Sequence, residues 1–319
     1  MPVLNGVCAK MRAMGINMLS CCESNINKVN LKEKYSHLVK KHPCFSGEAH
    51  FKYGRIHLPI SPTCNIQCKF CKRSLNKTEN RPGVASKILS PQEALELVDK
   101  ALELCPDITV VGVAGPGDTL ATPTALDTFE LIDSKHPKLI KCISTNGLML
   151  AHYAQRIVDV GVKTISVTVN AVDPKILQDI CTGIFSKGDY IEGIEGATTL
   201  IDAQLEGIKK ISSLGVTVKV NTVLIPGLNY SHIKEIARVT SKAGASIMNI
   251  IPLIPQNEMI DFRAPNCDEL NNARAAAEKY LKVFRHCQQC RADACGIPGK
   301  GKDLAELLYD HPLQTFSHG

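Results

Sequence analysis

Six short runs rich in valine and isoleucine recur along the chain with helix-like stretches between them. They are RIHLPIS (55–61), ITVVGVAG (108–115), LIKCISTN (139–146), TISVTVN (164–170), VTVKVNTVLI (216–225) and SIMNIIPLI (246–254). Residues 90–104, 124–135, 151–161, 199–215 and 232–244 carry the i, i+3, i+4 apolar spacing of amphipathic helices. The first of these has Ser90 to cap it, Pro91 in the first helical position and Glu93 to complete a capping box. The last three end near glycine. Strands alternating with helices make βα units and hence a parallel sheet, and continuous apolar runs are expected where both faces of a strand are covered.

An open doubly wound sheet and a complete or partial β/α barrel both satisfy this pattern. After almost every run the chain turns polar or glycine-rich: AGPGD, STNG, VNAVD and VNTVLIPG. In a barrel those groups converge, because barrels collect their chemistry at the C-terminal ends of the strands. Residues 1–50 and 270–319 show no strand pattern and are expected to be helical or irregular extensions.

Fourteen cysteines in 319 residues are unusual for a protein with no secretory signal, and the N-terminus has no compact apolar segment to serve as one. In a reducing cytoplasm they point to metal or redox chemistry, with some left to pack as small hydrophobes. Cys105, Cys181 and Cys267 are expected to have no metal role. Ten of the other eleven gather as Cys21–Cys22, His42-Pro43-Cys44, Cys64/Cys68/Cys71, Cys142 and Cys287/Cys290/Cys295.

SPTCNIQCKFCKR (61–73) sets Cys64, Cys68 and Cys71 at C-x3-C-x2-C. Zinc needs a fourth protein ligand that is not present locally. A four-iron cluster on three thiolates instead leaves one iron open to an outside ligand. The spacing, just after the first strand of a βα pattern, resembles that of the radical S-adenosylmethionine (SAM) superfamily. The resemblance implies a partial (β/α)6 barrel whose open iron chelates SAM and whose reduction yields a 5′-deoxyadenosyl radical. It also implies that Phe70 stacks near adenine and that Gly115, Gly117 and Asp118 receive the SAM amino group. Ser144, Asn146, Asn170 and Asn221 are then expected to contact its carboxylate or ribose.

Further soft ligands remain. RHCQQCRADACG (285–296) holds a C-x2-C pair, KHPCFSGEAHF (41–51) offers His42, Cys44 and His50, and Cys142 lies near the end of the third strand. Thiolate with some imidazole suits iron–sulfur clusters or zinc. His50 and His57 are read as ordinary packing histidines and Cys295 as filler. HPCFSGEAH, CNIQCKFC, ENRPGV, VAGPGD, CISTNGL, TVNAVDP, VKVNTVLIPGLN and HCQQCRADA together resemble the NifB family of nitrogenase cofactor maturases over roughly 250 residues.

That resemblance implies fusion of two [4Fe–4S] clusters around a carbide taken from a SAM methyl group, giving the eight-iron precursor of the cofactor. It implies that Cys64, Cys68 and Cys71 hold the radical-generating cluster and that His42, Cys44, Cys142, Cys287 and Cys290 hold the two substrate clusters. Glu79, in ENRPG, becomes an active-site acid that relays protons. The partners implied are a cluster donor, a reductant protein and a separate carrier or scaffold, since no carrier domain is expected after CRADACG. One position departs: Asn76, five residues beyond the triplet, stands where family members often carry cysteine.

The expected organisation is an N-terminal ligand-bearing extension (1–50), a barrel (51–265) and a C-terminal ligand-bearing extension (266–319). No stretch approaches the ~20 apolar residues of a membrane span. A formal charge of +6 is too small for this length to indicate nucleic acid. The expected setting is cytoplasmic. Two other readings stay open: a radical SAM methyltransferase or other auxiliary-cluster enzyme acting on an organic substrate, and a non-enzymatic iron–sulfur scaffold.

Overall fold

The computed structural model describes residues 39–300 and 303–309; Cys21 and Cys22 lie outside the described residues. After a single helical turn at Gly47–His50 come strands β1 (Gly54–His57), β2 (Ile66–Cys68), β3 (Ser74–Leu75) and β4 (Val84–Ala85). Then follow α1 (Pro91–Leu104), β5 (Ile108–Val113), α2 (Thr124–Lys135), β6 (Ile140–Thr145), α3 (Leu150–Asp159) and β7 (Val162–Thr168). A hairpin, β8 (Cys181–Ser186) and β9 (Asp189–Glu192), precedes α4 (Gly193–Ser213), β10 (Thr217–Leu224), α5 (Ile233–Ala243) and β11 (Ile247–Pro252). Helix α6 (Cys267–Glu278) leads to the short strands β12 (Lys282–Val283) and β13 (Cys295–Gly296).

The main sheet runs β12-β11-β10-β7-β6-β5-β1-β13. All its pairings are parallel except that of β1 with β13. Its six central strands lie in chain order. A doubly wound sheet reverses its order at a switch point, whereas a singly wound one coils toward a barrel. The strand order therefore selects the partial barrel, with β12 and β13 as its two edges.

Ser90 caps α1 with the complete capping box, and the left-handed Gly161, Gly215 and Gly244 follow α3, α4 and α5. Alternation along the strands sorts the two faces of the sheet. Ile56, Val111, Ile143, Ile165, Val218 and Met248 enter the core that the helices cover. The alternate positions carry Arg55, His57, Cys142, Ser144, Thr164, Ser166, Lys219, Asn221 and Asn249. The strands are thus apolar on one face only, against the expectation of continuous apolar runs, because the inner face lines a chemical interior.

The C-terminal region contains strands where none was expected. Each is two residues long and extends a sheet edge already built, so pairing rather than propensity makes it a strand. Among the described residues no helix is long and apolar enough to cross a membrane.

Candidate active site and metal centre

A cleft of about 1150 Å³ opens at the C-terminal ends of the central strands. Cys64, Cys68, Cys71 and Phe70 line it, with Asn76, Glu79, Gly117, Asp118, Ser144 and Asn146. The triplet loop is held from several sides. Gly117 and Asp118 donate their amides to the carbonyls of Ser61 (2.6 Å) and Thr63 (2.8 Å). A Cβ on Gly117 would lie 2.0 Å from the Thr63 carbonyl oxygen, so only glycine lets the β5 loop come this close. Gln256 and Asn257, which the sequence reading missed, donate to the carbonyls of Phe70 (3.0 Å) and Lys69 (3.2 Å).

Asp118 lines the cleft, yet its oxygens are already committed. They accept from the Leu120 amide, the Thr145 hydroxyl and the Asn146 amide. Burial lifts its carboxyl above the usual carboxylate range against these bonds. It therefore joins the β5 loop to the end of β6 and positions Asn146. The Asn146 side chain donates to Asn65 Oδ1 at 2.7 Å and lies 3.8 Å from Cys64 Sγ.

Three of the expected SAM contacts are not among the residues that line the cleft. Gly115 stands beside the cleft while its neighbours Ala114 and Pro116 line it. Asn170 accepts the Val223 amide at 3.0 Å, and Asn221 accepts from Asn249 Nδ2 at 3.1 Å. Neither asparagine reaches the cleft, and Thr168 takes the strand-end position instead. Asn170 thus ties its own loop to β10, and Asn221 ties β10 to β11.

Burial pushes the Cys64 thiol up to about 11 and raises Cys71 as well. Cys68 is raised first by a thiol hydrogen bond with Cys181, then by burial. Cys181, on β8, pairs directly with Cys68 across the small β2-β8-β9 sheet. The sequence pattern gives Cys181 no metal role, and the fold sets its thiol against that of Cys68. Three soft donors on one short loop, facing a cleft roomy enough for a nucleoside, fit a cluster with one open iron.

The remaining ligand candidates occupy a separate centre on the inner face of the sheet. Cys142 is the third residue of β6 and precedes Ser144, so it sits mid-strand rather than at the strand end. Cys44, Cys142 and Cys287 pack against Val39, Phe45, Ile247 and Phe284. Burial pushes the Cys44 thiol up to about 12, with Lys219 opposing and Cys290, Arg55 and Cys142 also in electrostatic range. Arg55 donates to Cys290 Sγ at 3.1 Å.

His42 is 1% exposed, and its Nδ1 accepts the Cys44 amide at 3.1 Å. Its Nε2 has no hydrogen-bond partner. A buried ring nitrogen next to Cys44, with Cys142, Cys287 and Cys290 gathered around that thiol, is a donor set that fits an iron–sulfur guest. Among the described residues no three His, Cys, Asp or Glu side chains converge for a single metal ion. His50 donates to or accepts from its surroundings as a packing residue, with Nδ1 at 2.8 Å from the Pro43 carbonyl. Cys295 is fully buried in the core beside Ile56.

CRADA connects the two places. Arg291 donates to the carbonyls of Glu79 (2.5 Å) and Asn76 (2.7 Å) and pairs with the fully buried Asp293. Asp293 in turn accepts the Ser86 amide at 2.5 Å. The Asn76 side-chain oxygen accepts the amides of Thr78 and Glu79, closing the loop on itself. Glu79 is ion-paired with Arg81 and accepts from Ser74 Oγ at 3.3 Å.

The sequence pattern of the Radical SAM superfamily matches residues 58–240. The FeMo cofactor biosynthesis protein NifB of Methanocaldococcus infernus is 50% identical over 278 residues, 86% of this chain and 91% of that protein. Its counterpart in Methanocaldococcus jannaschii is 46% identical over 298 residues, 91% and 99% of the two chains. The protein of that name from Azotobacter vinelandii is 36% identical over 91% of this chain, which spans 59% of that longer protein. A radical SAM methyltransferase from Sphaerobacter thermophilus superposes with a TM-score of 0.52 at 18% identity, over 72% of this chain and 65% of that one. Methylornithine synthase superposes at 0.50 and 13% identity, over 80% and 72%. At such identities these two structures speak for the fold alone.

Proposed function

We infer function from membership: the chain belongs to the radical SAM superfamily and, within it, to the NifB family. It is a radical SAM enzyme of nitrogenase FeMo cofactor biosynthesis. Its reaction fuses two [4Fe–4S] clusters and inserts a carbide derived from a SAM methyl group. What carries this reading is the pairing of a three-thiol cleft with a second centre of four cysteines and one histidine, tied together through Arg291.

Cys64, Cys68 and Cys71 hold the resident four-iron cluster, which when bound supplies the electron for cleaving SAM. Phe70, Gly117, Ser144, Asn146 and Thr168 surround the SAM side of the cleft, and Asp118 keeps Asn146 in place. His42, Cys44, Cys142, Cys287 and Cys290 hold the substrate clusters. Residues 1–50 and 266–319 act as ligand-bearing extensions around the barrel of 51–265. Glu79, at the cleft wall and ion-paired with Arg81, is the carboxylate that accepts a proton. A reductant protein, a cluster donor and a separate carrier serve the reaction in the cytoplasm.

The test is anaerobic reconstitution followed by SAM carrying an isotopic label in its methyl group. The expected result is about twelve irons per chain, at four per cluster, and label inside a cluster extracted from the protein. Label found only in a methylated organic product, or iron stopping at about four per chain, would overturn the reading.

A further inference from the structure

Two buried cations stand with no carboxylate in salt-bridge contact among the described residues. Arg55 and Lys219 are each 5% exposed, and both lie on the inner face of the sheet. Among the described residues neither forms a salt bridge. Lys219 donates to the Cys44 carbonyl at 2.9 Å, and its ammonium lies 4.6 Å from the Phe45 ring centre and 5.5 Å from that of Phe284. Arg55 donates to the Gly296 carbonyl at 2.7 Å and to Cys290 Sγ, while its Nε has no partner.

The groups facing these cations are mostly thiols. Cys44 and Cys290 face Arg55, and Cys44 and Cys142 face Lys219. His42 and His57 are the nearby imidazoles. Asp303 faces Arg55 at longer range, but its Oδ1 is occupied by the amides of Cys295 and Ala305. An uncompensated buried charge costs several kcal/mol. A fold that keeps two of them together is built to receive negative charge.

We infer that Arg55 and Lys219 are the counter-charges of an anionic, thiolate-ligated iron–sulfur cluster, one of the two substrate clusters, whose ligands come from His42, Cys44, Cys142, Cys287 and Cys290. The inference rests on the ligand assignment made under Proposed function and adds the residues that set the guest's charge state. An oxidised four-iron core with three thiolates and a neutral imidazole carries one negative charge, and one-electron reduction gives it two. Two cations neutralise the reduced form, so the chamber favours reduction. The Arg55 bond to the Cys290 sulfur acts in the same direction, because donors to ligand sulfur raise cluster potentials. Lys219 acts on the cluster as a whole, and Arg55 on its Cys290 corner.

The experiment uses the full chain with Cys64, Cys68 and Cys71 all changed to Ala, so that only the second centre can take up iron. Lys219→Met, Lys219→Arg and Arg55→Met are compared in that background. Without iron, Lys219→Met should unfold at or above the temperature of its parent, because a bare buried charge is gone. After anaerobic reconstitution the same variant should lose iron to a chelator about tenfold faster. Its reduction potential, followed by EPR, should move to more negative values, and Lys219→Arg should restore both. Arg55→Met should shift the potential in the same direction. Iron uptake with retention and potential indifferent to Lys219 and Arg55 overturns this inference alone. A parent that takes up no iron overturns the ligand assignment and this inference together.

Discussion

Arg291→Gln tests whether the C-terminal motif supports the cleft. The guanidinium holds two loop carbonyls and contacts both oxygens of Asp293, at 2.8 and 2.9 Å. The two side chains are 11% and 0% exposed, so solvent screens the pair little. Removing one partner of a buried pair costs about 3–5 kcal/mol, because the other charge is left without compensation. Unfolding entropy of about 2.1 cal/mol/K per residue gives roughly 0.67 kcal/mol/K over 319 residues. The melting temperature of the iron-free protein should therefore fall by about 4–8 °C. Calorimetry under anaerobic conditions measures it. Arg291→Gln with Asp293→Asn removes the stranded carboxylate and should recover roughly half of the loss. SAM cleavage should fall in the single variant, since Asn76 and Glu79 lose their anchor. A single variant that melts within about 1 °C of wild type would refute the argument.

Cys68→Ala should abolish reductive SAM cleavage, and undiminished 5′-deoxyadenosine release would remove the triplet from the mechanism. Replacing both Cys287 and Cys290 with Ala should lower bound iron by about four per chain while the reduced EPR signal of the SAM cluster survives; unchanged iron content would make them packing residues. Cys181→Ser should leave iron content alone and shift the potential of the SAM cluster, because the thiol beside Cys68 is replaced by a stronger donor; an unmoved potential would show that the pair does not interact once metal binds. Asn76→Cys should lower the stability of the iron-free protein by about 1 kcal/mol, the usual net value of a hydrogen bond, and Asn76→Asp should keep it. Equal melting of all three would show that the side-chain bonding contributes nothing.

The five long helices were legible because burial on one face leaves a 3.6-residue period, and the six central strands because their valine- and isoleucine-rich runs stand between those helices. The hairpin of β8 and β9 was not, since Phe185 and Tyr190 stand 57% and 42% exposed and break the expected apolar pattern. Its one local signal was Lys187-Gly188, both at positive φ, the dipeptide of a tight hairpin turn. The triplet stood out because its three cysteines are close in sequence, and the fold brings all three to the cleft. The inner-face cations were not, since Arg55 and Lys219 are 164 positions apart and each looks like an ordinary strand lysine or arginine. Cys142 was placed correctly on its strand but at the wrong depth. Periodicity says which face a residue takes and not how far along the barrel axis it lies.

Asn76 shows how the second centre and the cleft depend on one another. Read from the sequence it is a missing thiolate; in the fold its side chain closes the loop that presents Glu79, and Arg291 grips the same residue's carbonyl. The loop is therefore ordered by bonds within itself and by the segment that carries Cys290, one residue before Arg291. A guest that draws on Cys290 must act on the segment that positions Glu79. If filling the second centre stiffens that segment, the loop from Asn76 to Ser86 should exchange its amide hydrogens more slowly once iron is loaded, even where Cys64, Cys68 and Cys71 are absent. Unchanged exchange there, with iron bound at the second centre, would mean that Arg291 holds the loop without transmitting anything to it.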